Sequence, residues 1–262
     1  MKRDSFTFRV TKRIAPRPLR RVARPLLYAY SRPDFWQNAL RVRRFSGRHT
    51  GDRCFIIGNG PSLQRMDLSL LRHEYTFGLN RIYLKFSELG FATTYHVTVN
   101  RLVLEQCADD ISNLDMPRFI SWPGRHHLPR QDGLHYLGPH LCAHFSKRPW
   151  LHLWEGSTVT FVAMQLAYYM GFGEVILIGV DHDFETKGPP HQEVTSQGED
   201  KNHFHPDYFG KGFRWQLPDL EGSERAYWRA KEAFEGNGRC ITDATIGGKL
   251  EVFPKVDYYS LF

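Results

Sequence analysis

The chain has 262 residues, 41% apolar and 14% aromatic, enough for one sizeable core and too apolar for a disordered segment. No run of about 18 apolar residues occurs, which excludes a spanning helix, and the four scattered cysteines (Cys54, Cys107, Cys142, Cys240) lack zinc-like spacing and read as reduced. The net charge of +7 is uneven: residues 1–50 hold 14 Lys/Arg against 2 Asp/Glu, a balance of +12, which leaves −5 for residues 51–262.

Residues 1–50 therefore read as a basic leader, and residues 51–262 as a single domain. Leu26–Tyr30 is too short for a secretory h-region, so a cytoplasmic protein is expected. Basic leaders seek anionic surfaces. Phe6, Phe8, Leu26, Leu27, Tyr28, Tyr30, Phe35 and Trp36 are interleaved with the arginines, a mix that suits a membrane interface better than nucleic acid. A solvated arm or an oligomer contact is the ordinary alternative. Pro16, Pro18, Pro25 and Pro33 interrupt long helices, leaving short pieces at Leu26–Tyr30 and Asp34–Val42.

The first strand is expected at Cys54–Ile57, running into Gly58-Asn59-Gly60-Pro61-Ser62. Two glycines let a ligand approach the main chain, and Pro61 and Ser62 suit a helix start whose N–H groups favour an anion. This predicts a phosphate or nucleotide cradle, against a plain β-to-α turn. Further along, the pattern predicts a helix over Met66–Leu71, a strand over Tyr75–Leu79, a helix over Ile82–Leu89, a strand over Thr94–Val99, a helix over Leu102–Ile111 and a strand over Arg118–Ser121. Residues 122–150 read as an irregular excursion with one strand, Leu134–Leu137. A helix capped by Ser157 or Thr158 runs to Gly171, and Glu174–Asp181 is a doubly buried strand. Residues 182–218 are polar and irregular, the length of a functional lid. Glu221–Glu235 is a helix, followed by short strands at Arg239–Thr242 and Leu250–Phe253. Alternating strands and helices predict an α/β Rossmann-like fold, a mainly parallel sheet with helices on both faces and ligands beyond the carboxyl strand ends.

Asn59, Asn80, Asn100 and Asp181 all stand at such ends. An Asn side chain suits a base edge or ribose hydroxyls, although each alone is a common turn residue. Arg81 and Arg101 follow two of them and would face phosphate or solvent. Glu155-Gly-Ser-Thr158 opens the clearest helix, a second anion-binding terminus or a plain cap. Asp181 and Asp183 have a spacing used to hold a divalent metal. The lid histidines His203 and His205, sheltered by Phe204, Tyr208 and Phe209, are candidates for a general base.

Taken in order, Phe55–Leu63, Phe77–Tyr83, Val99-Asn100, Gly156–Val159, Met164–Gly171, Val175–Asp181 and Asn202–His205 resemble the bacterial sialyltransferases of glycosyltransferase family 42. The Gly-Asn-Gly-Pro-Ser-Leu signature is also similar to that of proteins like the archaeal 6-hydroxymethylpterin pyrophosphokinase. The resemblance implies a metal-free, CMP-sugar-dependent transferase. Gly58, Asn59, Gly60, Ser62, Asn80, Asn100 and Asp181 would then lie at the nucleotide, Ser157 and Thr158 near the donor. His203 or His205 would be the base, and Tyr208 would hold the leaving phosphate. Two departures stand out: Glu155 replaces a basic residue, and His182-Asp183 replaces aromatics. The implied partners are a nucleotide-sugar donor and a glycan or lipid-linked acceptor in cell-surface polysaccharide biosynthesis, at the inner face of a bacterial membrane, with an oligomer left open. The alternatives are an ATP- and Mg²⁺-dependent diphosphokinase and a non-catalytic nucleotide- or glycan-binding module.

Overall fold

The computed structural model describes residues 26–262; the expectations for residues 1–25 lie outside it. Seven strands form one all-parallel sheet: β1 (Arg53–Ile57), β2 (Tyr75–Leu79), β3 (Tyr95–Thr98), β4 (Arg118–Ile120), β5 (Leu134–Tyr136), β6 (Glu174–Ile178) and β9 (Cys240–Asp243). Their order is β5-β4-β3-β2-β1-β6-β9. The chain thus steps outward from β1 to β5, then crosses back to place β6 on the other side of β1. The sheet is Rossmann-like, and its strand order reverses between β1 and β6.

The apolar runs of β1 and β6 follow from burial on both faces. Cys54 and Ile56 of β1, with Val175 and Leu177 of β6, face a cluster that includes Phe161, Leu166 and Phe234. Phe55, Ile57, Ile176 and Ile178 face the opposite cluster, which includes Leu63, Phe204 and Tyr208. The first face is covered by two long helices (Val159–Met170 and Leu220–Glu235), the second by shorter pieces.

Those shorter pieces are where the helix expectations change. Met66–Leu71 is instead a 3-10 turn at Leu68–His73, capped by Asp67, and a further 3-10 turn occupies Pro61–Arg65. Ile82–Leu89 divides into a 3-10 turn and one α-turn ending at Gly90, and Leu102–Ile111 breaks at Cys107 into two short helices. Leu250–Phe253 is not a strand; the final segment joins the sheet by a bridge between Asp243 and Lys255 and by Arg53, which donates to Leu261 O (3.1 Å). The lid holds an antiparallel hairpin, β7 (Glu193–Thr195) with β8 (Arg214–Gln216), where no strands were expected.

The described part of the leader packs onto the sheet. Helix α1 (Pro33–Arg43) buries Phe35, Ala39 and Val42. Its Asn38 Nδ2 donates to Tyr136 O (2.5 Å), and its Oδ1 accepts from Tyr136 N (2.9 Å). A side chain thus satisfies the edge strand β5 as a neighbouring strand would. All four cysteines are free, Cys54 and Cys107 buried.

Candidate functional site

A cavity of about 750 Å³ opens at the carboxyl ends of the strands, over the β1–β6 reversal, where doubly wound sheets hold ligands. Its walls include Gly58, Asn59, Gly60, Asn80, Asn100 and Asp181 from the strand ends, Glu155, Ser157 and Thr158 from the helix entry, and Asp183, His203 and Tyr208 from the lid. Ser62 and His205 are not among them. Ser62 is buried, and His205 Nδ1 accepts from Asp207 N outside the wall.

The glycine loop is tight for a reason other than a ligand. A Cβ on Gly58 would stand 2.2 Å from Gly179 O, and one on Gly60 would stand 1.8 Å from Asp181 Oδ2. Gly60 has an ordinary extended backbone (φ −69°, ψ 158°), so the demand there is purely steric. Ser62 N donates to Asp181 Oδ1 (3.0 Å) and Ser62 Oγ to Asp181 Oδ2 (2.6 Å). An internal carboxylate therefore occupies the helix start expected to cradle phosphate, and the glycines let the β1 and β6 loops close on each other. Burial raises the Asp181 pKa, and the Ser62 bonds work against that rise.

The three asparagines differ. Asn100 Oδ1 accepts from Leu102 N (2.9 Å) and Val103 N (3.3 Å) and caps the helix α2 (Arg101–Gln106), leaving its amide NH₂ for any other partner. Asn59 Oδ1 and Asn80 Oδ1 are buried and have no partner among the described residues, a vacancy that asks for a donor. Asn80 is left-handed (φ 47°), and buried His96 bonds its carbonyl through Nε2 (2.6 Å). Burial pushes the His96 pKa down to about 4, against the raising effect of that bond; the ring is neutral and Nε2–H donates.

Strain concentrates here. Asn80, Ser157, His182 and His191 have positive φ, and all four line the cavity. Non-glycine residues hold that conformation when surrounding structure fixes it, most often at binding sites. Ser157 Oγ donates to Asp219 Oδ2 (2.9 Å), and Thr158 caps the helix α3 (Val159–Met170). Between them and Trp154, Glu155 is half-buried, and no hydrogen bond or ion pair reaches its carboxylate among the described residues. Desolvation alone pushes its pKa up to about 7. Between the ordinary carboxyl pKa and about 7, the unfolded chain ionises freely while the folded one resists, so this group opposes folding increasingly as pH rises through that window. Glu155→Gln is accordingly expected to raise the melting temperature at pH 8 and leave it near wild type at pH 4, read by thermal unfolding at both pH values.

The lid separates the two candidate histidines. His203 Nδ1 lies 2.7 Å from Asp200 Oδ2, its ring stacks on Tyr208 (centroids 4.0 Å apart, 11° between planes), and it borders the cavity. Asp200 is in turn fixed by Asn202 N (2.8 Å) and Phe209 N (3.1 Å). A carboxylate on Nδ1 fixes the tautomer with Nε2 unprotonated, the arrangement of an oriented base. Asp200 escaped the sequence reading, although a carboxylate three residues before a histidine is visible in it. The Tyr208 hydroxyl is buried beside Arg81 N (3.5 Å), and burial raises its pKa. Arg81 turns away from the cavity to donate to the carbonyls of Asp207 and Tyr208, and Phe204 N donates to Asn59 O (2.9 Å). Arg81 thus anchors the lid, and Arg101 pairs with Glu105 and Glu193 at the hairpin's base.

The carboxylates offered as a metal pair each have another partner. Asp181 is engaged by Ser62, and Asp183 pairs with Lys249 (2.6 Å). No group of three or more potential ligands converges among the described residues.

The 6-hydroxymethylpterin diphosphokinase MptE-like family matches residues 34–187. The chain belongs to this family. The match contains β1 to β6, the three asparagines and Asp181, and it stops before Asp200 and His203. Among solved structures, the MAf glycosyltransferase from Magnetospirillum magneticum AMB-1 is similar, with a TM-score of 0.51 at 13% identity, over 87% of this chain and 39% of that one. The likeness is one of fold, and the chain spans well under half of that protein's length. No curated protein matches the sequence. The family match supports a transferase-type function for this MptE-like protein.

Proposed function

We propose that the protein is a glycosyltransferase that takes a sugar from a nucleotide donor, of the CMP-sugar class, and passes it to an acceptor hydroxyl in cell-surface glycan assembly. The observation that carries this is the Asp200–His203 pair beside a cavity lined by Asn59 and Asn80, whose Oδ1 atoms have no partner among the described residues. The amides take the nucleoside. The N-terminus of α3, which opens on the same cavity, suits the phosphate with its positive dipole end. The acceptor proton passes to His203 Nε2, the acceptor oxygen attacks the anomeric carbon, and the bond from that carbon to the phosphate oxygen breaks, its electron pair leaving with the nucleotide. Tyr208 supports this from beneath, holding the His203 ring in plane.

The family name favours a second reading, an ATP- and Mg²⁺-dependent diphosphokinase. It needs carboxylates at a metal, and Asp181 and Asp183 each have a different partner. A thermal-shift panel of CMP, CDP, UDP, GDP and ATP, each with and without Mg²⁺, separates the two. The glycosyltransferase reading expects stabilisation by cytidine nucleotides, weakened in Asn59→Ala and Asn80→Ala. Asn100→Ala serves less well, since loss of the cap itself destabilises by about 1 kcal/mol. Stabilisation by ATP with Mg²⁺ alone would instead establish the diphosphokinase. Donor bound but never cleaved in the presence of acceptors would leave a binding module.

A further inference from the structure

We propose that the outward face of α1, with the turn before it, docks on an anionic phospholipid bilayer. Nine large hydrophobic side chains are exposed among the described residues. Four of them fall within fourteen positions of chain: Leu27 (42% exposed), Tyr28 (57%), Trp36 (45%) and Leu40 (59%). Trp36 and Leu40 are four apart on one helix and share a face. The opposite face, with Phe35, Asn38, Ala39 and Val42, is buried in the protein, and Trp36 meets it edge-on at Phe35 (5.2 Å) while its own outer side stays exposed. The indole N–H of Trp36 already donates to Tyr30 O (2.9 Å). The ring can therefore enter the acyl boundary without losing a hydrogen bond to water, the usual penalty for immersing a Trp tip.

Charge selects the occupant. Arg43, Arg44 and Arg48 are exposed at the far end of α1, and residues 1–25 add nine Lys/Arg against one Asp. The remainder, residues 51–262, carries −5. An anionic surface attracts this end of the protein and repels the rest, which orients the molecule as well as binding it. Apolar and aromatic anchors beside clustered arginine match the interfacial class of membrane contact.

The orientation bears on substrate. Phe35 of α1 packs edge-on against Trp122 (5.0 Å). Trp122 opens the 3-10 turn Trp122–His126, and Pro123, Gly124, His126 and His127 of that stretch line the cavity. Docking through α1 therefore sets this rim one helix behind the bilayer surface and makes a lipid-linked acceptor the fitting class. That last step rests on the glycosyltransferase reading; the docking does not.

The test is co-sedimentation of the full chain with vesicles of phosphatidylglycerol and phosphatidylcholine in equal parts, against phosphatidylcholine alone, with no nucleotide present. Binding to the anionic vesicles only is expected. It should weaken by about tenfold or more in Trp36→Glu/Leu40→Glu, in protein that still unfolds in a single cooperative transition above the assay temperature. Absence of binding, equal binding to both vesicles, or full binding by the double variant would each overturn the proposal. The last outcome, with loss in full-length Arg20→Gln/Arg21→Gln, would assign attraction to the leader alone. A dimer in size-exclusion chromatography that the double variant dissociates, without vesicle binding, would assign the face to a second copy. Since no step reads turnover or nucleotide, failure here leaves the enzymatic reading standing, and failure of that reading leaves this one intact.

Discussion

His203→Ala is expected to lower sugar transfer by roughly 10²–10⁴-fold, the usual contribution of a positioned general base, while nucleotide binding stays at the wild-type level. The ring touches the cavity from the lid and is held by Asp200 and Tyr208; the asparagines proposed to take the nucleoside belong to the strand ends. Transfer from a labelled donor measures the first quantity and the nucleotide thermal shift the second. Asp200→Asn should fall between wild type and His203→Ala, because an amide on Nδ1 permits the tautomer whose Nε2 cannot accept. His205→Ala should transfer at close to the wild-type rate, since His205 lies outside the cavity wall. Equal losses at His203 and His205 would show a lid that is merely structural, and an active His203→Ala would remove the base altogether.

The second large effect is on stability. Gly60→Ala places a Cβ where Asp181 Oδ2 now stands and so expels the carboxylate from Ser62. Asp181→Ala leaves the Ser62 N–H and hydroxyl unpaired in a buried position, a loss of about 1–3 kcal/mol. Gly60→Ala should cost more than that, because the displaced carboxylate must also find a new place. The double variant Gly60→Ala/Asp181→Ala should lie nearer Asp181→Ala than Gly60→Ala, since only a 3.0 Å contact with the remaining Cβ is left of the clash. Urea denaturation of the four proteins closes the cycle. Additive losses would mean that the two loops do not meet as described.

Much of the sheet can be read from the sequence, and the reason is physical. A parallel strand buried on both faces needs an unbroken apolar run, so β1, β2 and β6 stand out, and the asparagines that close three strands mark one edge. The coverings of the second face are less legible. Leu68, Leu71 and Ile82 are buried, but on 3-10 turns of four to six residues, too short to establish a helical period. The glycines are ambiguous because sequence cannot say whether missing bulk makes room for a ligand or for a neighbouring loop; at Gly60 the neighbour is 121 positions away, at Asp181. Asp200 and His203 are close enough to be seen as a pair. What sequence lacks is the packing that brings His203 to the cavity and leaves His205 outside it. The charged leader raises the same difficulty: composition separates it from the domain, while Phe35, Asn38 and Val42 join its second half to the sheet.

Asn38 has one more consequence. Parallel sheets with an open edge can grow, by accepting a strand from another molecule or a loosened segment of their own chain. At β5 the hydrogen-bonding position beside Tyr136 is already filled by an amide that cannot propagate a ladder. A second copy would have to evict α1 before adding a strand there. Asn38 thus acts as a chain terminator for the sheet, and Asn38→Asp, which keeps the acceptor for Tyr136 N but turns a second acceptor on Tyr136 O, would reopen half of the edge.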